Sequence, residues 1–242
     1  MKAIRIGRAL LSVADKTGLV ELAKGLVRHG VKIVSTGGTS VALEDAGVSV
    51  RDVSEVTGYP ELFGGRVKTL HPAIHGGVLY RRCHPGDEEE RHRHGVVSIE
   101  MVVVNLYPFE QTAARPGVSD AEAIDQIDVG GPALIRAAAK NHVHVLVVVS
   151  PDQYGEVLET LDRNQGEIPA EVARRFARRA FERTSEYDAS IARYLAGGAA
   201  STHGQTSARG GGSGTGDAAL PGRIDRRYRI LQELRYGENP GQ

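Results

Sequence analysis

Two uninterrupted apolar runs, Met101-Val102-Val103-Val104 and Val145 to Val149, place the tightest limit on the fold. A strand wet on one face alternates apolar and polar residues, whereas a run apolar at every position must be buried on both faces. Ala9–Val13 and Val31–Val34 read as further buried strands, and Val48–Val53 alternates. The last strand is predicted over Val143–Val149. Helical patterns lie between these runs. Leu19, Leu22, Ala23, Leu26 and Val27 recur at helical spacing, with Gly30 as a stop. Val41–Ala46 reads as a short helix closed by Gly47, and Pro132–Lys140 as a helix starting just after Gly130-Gly131. Strands separated by helices predict an α/β fold with a mostly parallel sheet covered on both faces.

Pro151–Ala196 reads as helical throughout. Val172, Phe176, Ala180, Thr184, Tyr187, Ile191 and Leu195 give one long helix an apolar stripe. Arg174, Arg175, Arg178 and Arg179 on that helix are expected to be solvated or paired with carboxylates. Ser201–Gly222 differs in kind: seven of its 22 residues are Gly and none is aromatic, so it reads as a flexible linker. The organisation expected is therefore a sheet domain over 1–150, its helical extension over 151–200, a linker over 201–222 and the start of another unit over 223–242.

Composition removes several classes of function. Lys plus Arg and Asp plus Glu are 30 each, which excludes a strongly basic nucleic-acid binder as a reading of the whole chain. The single cysteine, Cys83, permits no internal disulfide, and a reducing cytoplasm is the natural compartment. No apolar stretch is long enough to span a bilayer, so no membrane partner is expected. His71 and His75 lie four apart without a third ligand, so no metal site is expected. His92 and His94 fall in a charged stretch that reads as a solvated loop or helix face.

The chemistry concentrates in the loops that follow strands. Ser35-Thr36-Gly37-Gly38-Thr39-Ser40 joins a strand to a helix. Its glycines and the helix N-terminus suit a phosphate, but a plain strand-to-helix turn would use the same residues. Asp15-Lys16-Thr17-Gly18 follows the first strand, with Asp15 as a candidate N-cap. In a parallel sheet both loops lie at the carboxyl edge, where ligands bind. Gly64-Gly65-Arg66-Val67-Lys68-Thr69 offers two cations and a hydroxyl, for an anion or as a solvated surface turn. Asn105 and Tyr107 end the strongest strand. Asp128 is either a helix cap or a carboxylate base, with Lys68 and Lys140 as cations opposite it.

Together, SVADKTGLVELAKGL, STGGTSVALEDAGV, GGRVKTLHPAIHGG, VVNLYPFE, IDQIDVGGPALIRAAAKNH and RTSEYDASIARYL resemble the IMP cyclohydrolase domain of the bifunctional purine-biosynthesis enzymes that join AICAR transformylase to IMP cyclohydrolase. These segments run almost without interruption from Leu10 to Leu195. LRYGENPGQ at the end resembles the opening of the transformylase domain, although Gly241 stands where that family normally has His. The resemblance implies a three-layer methylglyoxal-synthase-like fold with C-terminal helices, and dehydrative closure of 5-formamidoimidazole-4-carboxamide ribonucleotide to IMP, without cofactor or metal. It implies a homodimer and a transformylase domain that is separate or deleted, with no transformylase activity in this chain. Carried over residue by residue, Ser12, Lys16, Thr36, Gly37, Gly38 and Thr39 would hold the ribose phosphate. Arg66, Lys68 and Thr69 would line the formyl side, and Asn105, Asp128 and Val129 the carboxamide and ring. Asp128 would take the carboxamide proton, Lys68 and Tyr107 would stabilise the oxyanion, and Lys140 would help water leave. A non-catalytic ligand sensor, a methylglyoxal synthase and an inactive remnant are the competing readings; fold alone does not separate them.

Overall fold

The computed structural model describes residues 3–107 and 109–196. Its centre is a sheet of five parallel strands: β2 (Arg8–Val13), β3 (Lys32–Ser35), β4 (Val50–Asp52), β5 (Met101–Asn105) and β6 (Leu146–Val148), in the spatial order β4-β3-β2-β5-β6. The runs that are apolar at every position serve two faces at once. Met101 and Val103 enter one core, while Val102 and Val104 enter the other. Leu146 and Val148 alternate in the same way with Val145, Val147 and Val149. Two further residues, β1 (Ile4–Arg5), pair antiparallel with β7 (Glu167–Ile168) away from this sheet.

One core is closed by α1 (Leu19–Arg28), α2 (Gly37–Asp45) and α9 (Tyr154–Arg163), through Leu22, Leu26, Leu43, Val157 and Leu161. The other is closed by α4 (Pro72–Leu79) and α8 (Gly130–Lys140), through Ile74, Val78, Leu134 and Ile135. The long α10 (Ala170–Leu195) serves both: Phe176 is buried in the first, and Ala177, Ala180 and Tyr187 in the second. Shorter helices lie on the connections: α3 (Val53–Thr57), α5 (Pro85–Arg93), α6 (Phe109–Ala113) and α7 (Asp120–Asp125). Gly30 ends α1 as expected. It adopts a φ of 76°, its N–H reaches the Val27 carbonyl and that of Val31 the Leu26 carbonyl.

Several expectations need correction. The Ser35–Ser40 loop is shorter than predicted, because Gly37 and Gly38 already belong to the first turn of α2. Likewise α8 begins at Gly130. Pro151–Ala196 is not helical throughout. Gln165 at φ 53° and Gly166 at φ 84° break it, and β7 finds its pairing partner at the other end of the chain. Asp15 does not cap α1. Gly18 holds the cap position, and Asp15 Oδ1 accepts from the Thr17 N–H at 2.9 Å, one turn too early. Leu195, assigned to the apolar stripe, is exposed at the end of α10. Other expectations hold: His92 lies in α5 and His94 at its C-cap, both exposed, and Arg175, Arg178 and Arg179 pair with Glu156, Glu182 and Asp152. No helix of the described residues is long and apolar enough to cross a membrane. The linker and final segment expected over 201–222 and 223–242 lie outside the described residues.

Two helical glycines test the packing. A Cβ on Gly77 would sit 2.2 Å from the Val97 carbonyl oxygen; one on Gly25 would meet Leu158 Cδ2 at 2.3 Å. Helix propensity favours Ala by about 1 kcal/mol at both positions. A backbone carbonyl cannot step aside as a leucine side chain can. Gly77→Ala should therefore destabilise the fold by about 2–3 kcal/mol and Gly25→Ala by clearly less, read from urea unfolding.

Candidate active site

Strand order reverses between β2 and β5: the chain builds outward through β3 and β4, then returns to add β5 and β6 on the other side. The connections leaving the carboxyl ends of β2 and β5 therefore diverge and leave a crevice. Asn105 bridges its base. Its Oδ1 accepts from the N–H groups of Ala14 at 2.6 Å and Asp15 at 2.9 Å, and its Nδ2 donates to the Asp15 carbonyl at 2.8 Å.

On the β3 side of this edge stands the N-terminus of α2. Thr36 occupies the cap position without a side-chain capping bond, because its hydroxyl pairs with Ser12 Oγ at 3.0 Å. Thr39 accepts from the Val13 N–H at 3.0 Å and donates to its carbonyl at 3.1 Å, so its hydroxyl ties α2 to β2. Two ammonium groups come to this helix end. A Cβ on Gly37 would lie 2.8 Å from Lys68 Nζ, and one on Gly38 would lie 3.9 Å from Lys16 Nζ. Only glycine leaves Lys68 that approach. Unsatisfied helix N–H groups and two cations together attract an anion.

The neighbour of Lys68 reaches a different helix. Thr69 is buried, and its Oγ1 lies 3.3 Å from where a Cβ of Gly130 would stand, at the start of α8. Here Asp128 Oδ1 accepts from the Gly131 N–H at 2.9 Å. A Cβ on Gly131 would fall 2.2 Å from Asp128 Oδ2, so the carboxylate lies directly against the helix start. Burial pushes the Asp128 carboxyl above its ordinary 3.8, with the Gly131 and Gly130 N–H groups opposing the rise. Val129, next in the chain, is exposed at the cap position of α8.

Three expected residues are placed differently. Arg66 pairs with Asp125 of α7 and is largely exposed. Tyr107 is also exposed, and lines a cavity of about 750 Å³ at the ends of β2, β5 and β6 rather than the recess beside Lys68. Lys140 is the last residue of α8. At 1.5 Å rise per residue it stands about 15 Å along the helix from Gly130, toward the opposite edge of the sheet. The structure does not bring it together with Asp128 and Lys68.

Two residues belong to the site that were not singled out from sequence. The buried Tyr187 of α10 accepts the Asp128 N–H on its hydroxyl at 2.8 Å and so anchors the segment carrying the carboxylate. Its place in the apolar stripe announced packing only. Glu61 pairs with Lys68 at 3.0 Å, and nothing in the sequence marks it among the other carboxylates. Among the described residues no group of three or more His, Cys, Asp or Glu could hold a metal ion.

Residues 18–133 match the MGS-like domain, and residues 138–242 match the AICARFT/IMPCHase bienzyme family. The bifunctional purine biosynthesis protein PurH of Desulfitobacterium hafniense is 50% identical over 97% of this chain and 43% of its own length. The PurH of a Synechocystis species is 49% identical over 97% of this chain and 42% of its own. The crystal structure of ForH superposes with a TM-score of 0.73 at 37% identity, over 79% of this chain and 98% of that one. The chain spans less than half the length of the curated relatives it matches. With its five-stranded parallel sheet and the crevice at its carboxyl edge, the chain belongs to the AICARFT/IMPCHase family and carries the MGS-like domain of that family.

Proposed function

We propose that the chain is an IMP cyclohydrolase in purine biosynthesis. It would close 5-formamidoimidazole-4-carboxamide ribonucleotide to IMP: the carboxamide nitrogen attacks the formyl carbon and water leaves. One observation supports this reading above the others. Lys68 and Thr69, consecutive in the chain, reach the N-termini of α2 and α8 respectively, so a single segment spans a helix end suited to an anion and a half-buried carboxylate. A sensor that only held a phosphate would need α2 and the cations, not Asp128 kept against α8.

In this reading the ribose phosphate rests on the first turn of α2 between Lys16 and Lys68, with Ser12, Thr36 and Thr39 shaping the cradle. Asn105 spends three hydrogen bonds on the Ala14–Asp15 loop, which holds its amide at the base of the crevice to face the carboxamide. Asp128 takes the proton from the carboxamide nitrogen. A carboxylate whose proton affinity is raised by burial is the stronger base for that task. Lys68 stabilises negative charge on the former formyl oxygen; Tyr107, carried over for the same task, lines the separate cavity and would have to turn out of it to reach that oxygen. Val129 borders the ring, and Arg66 would have to leave Asp125 to reach the ligand. Nucleophile and electrophile sit on one molecule, so much of the rate comes from selecting the reactive rotamer. No step is assigned to Lys140 from its position at the far end of α8. A homodimer is part of the same proposal.

The test is turnover by the purified chain, followed as IMP formation by ultraviolet absorbance without added folate. Rapid conversion is expected; binding without conversion would favour the sensor. Lys68→Ala should lower kcat by about 10²-fold or more. Asp128→Asn should lower it by about 10²–10⁴-fold. The wild-type acid limb should lie above pH 3.8 and vanish in Asp128→Asn, because only the ionised form acts as base.

The same shift carries a stability consequence. A carboxyl whose folded value is raised stabilises the fold below its unfolded value, and that contribution is lost as pH rises through the folded one. At neutral pH the charged Asp128 is thus a cost, and Asp128→Asn should melt at the wild-type temperature or above it even as turnover disappears. A lower melting temperature would show that the carboxylate holds the fold together.

A further inference from the structure

The recess beside Thr36 and Gly37 has a volume of about 30 Å³, bounded by Asp52, Ser54, Tyr59, Glu61 and Lys68. That is about the share of one water molecule, and far less than a phosphate group needs. What leaves so little room is the ion pair between Lys68 and Glu61 in its wall, whose Nζ and Oε1 are 3.0 Å apart. The pair is seated on the backbone at both ends. A Cβ on Gly65 would fall 2.5 Å from Glu61 Oε1 and 2.5 Å from Lys68 Cε, and one on Gly37 would fall 2.8 Å from Lys68 Nζ. Gly65 lies in the left-handed region at φ 90°, as do Phe63 at 54° and Gly64 at 63°. The chain between the two charged residues is therefore bent so that the carboxylate of Glu61 reaches the ammonium at the mouth of α2.

We propose that Glu61 is an internal counter-ion that occupies Lys68 in the empty protein and is displaced by the anion of the incoming ligand. Glu61 thereby sets the affinity of the site, because any anion bound at α2 must first break the Glu61–Lys68 pair. The ligand class is a phosphate monoester, small enough to enter once the carboxylate swings out. This rests on the reading of α2, Lys16 and Lys68 as an anion site; the part given to Glu61 is separate from it. Glu61 is half exposed, so swinging its carboxylate into water costs little. Lys68 is more enclosed and stays to meet the ligand. The displaced carboxylate remains close to the bound anion and repels it, which weakens binding further at low ionic strength.

The experiment is calorimetric titration of the whole chain with ribose 5-phosphate at low and high salt, for wild type, Glu61→Gln and Lys68→Ala. Glu61→Gln should bind about three- to tenfold more tightly than wild type at low salt. The difference should shrink at 0.5 M salt as screening weakens both the internal pair and the repulsion. Lys68→Ala should bind more weakly than wild type. Equal or weaker binding by a folded Glu61→Gln, with wild-type binding intact, overturns the displacement proposal and makes Glu61 a residue that only orients Lys68. Failure of all three proteins to bind overturns the anion site and the displacement proposal together. A circular dichroism melt of Glu61→Gln at the wild-type temperature secures the comparison.

Discussion

β2 is hydrogen-bonded to β3 on one side and β5 on the other, and its apolar residues are buried in both cores. This central strand in a parallel sheet is the constraint on which the rest depends. Parallel pairing sends every strand the same way, so every exit loop lies on one edge. The reversal of strand order at β2 and β5 keeps the loops there from closing over one another. Ser12, Lys16, Thr36, Asn105 and the segment before α8 owe their common edge to this topology and not to nearness in sequence. The Asn105 amide then converts a topological accident into fixed geometry by tying the β2 exit to the β5 exit with three hydrogen bonds.

The site is assembled from helix starts. Neither α2 nor α8 uses a side-chain capping bond from its own cap residue, Thr36 or Val129. At α2 the first turn is left facing two ammonium groups, and at α8 the carboxylate of Asp128 takes the place of a cap. Both helices begin with paired glycines, where the absence of side chains admits Lys68 at one and Asp128 at the other. One helix end thus faces two cations and the other a carboxylate. That asymmetry is the physical basis for reading one as a binding element and the other as the basic one.

α10 shows why a stripe of apolar residues understates what a helix does. Its stripe fills both cores, yet the Tyr187 hydroxyl fixes the backbone of Asp128 and Tyr194 donates to Asp120 at 2.8 Å. Phe109 packs edge-on against both tyrosine rings, with centroids 6.3 and 5.5 Å away. The helix that reads as an extension in the sequence is a splint for the segment between α6 and α8.

Residue order alone determined the layers. Runs apolar at every position can be satisfied only by burial on both faces, and that requirement is local enough to be legible at Met101–Val104 and Val145–Val149. Motif spacing likewise located the strand-exit loops, because a loop's place in a parallel sheet follows from what flanks it. Only the tertiary structure decided which charges meet. β7 could not be foreseen because its partner, β1, lies at the other end of the chain. Glu61 and Tyr187 were hidden because a carboxylate or a tyrosine acquires a role from its neighbours in space. Lys140 looked like a companion of Asp128 at a distance of twelve residues, but a helix converts that separation into length and carries the two apart.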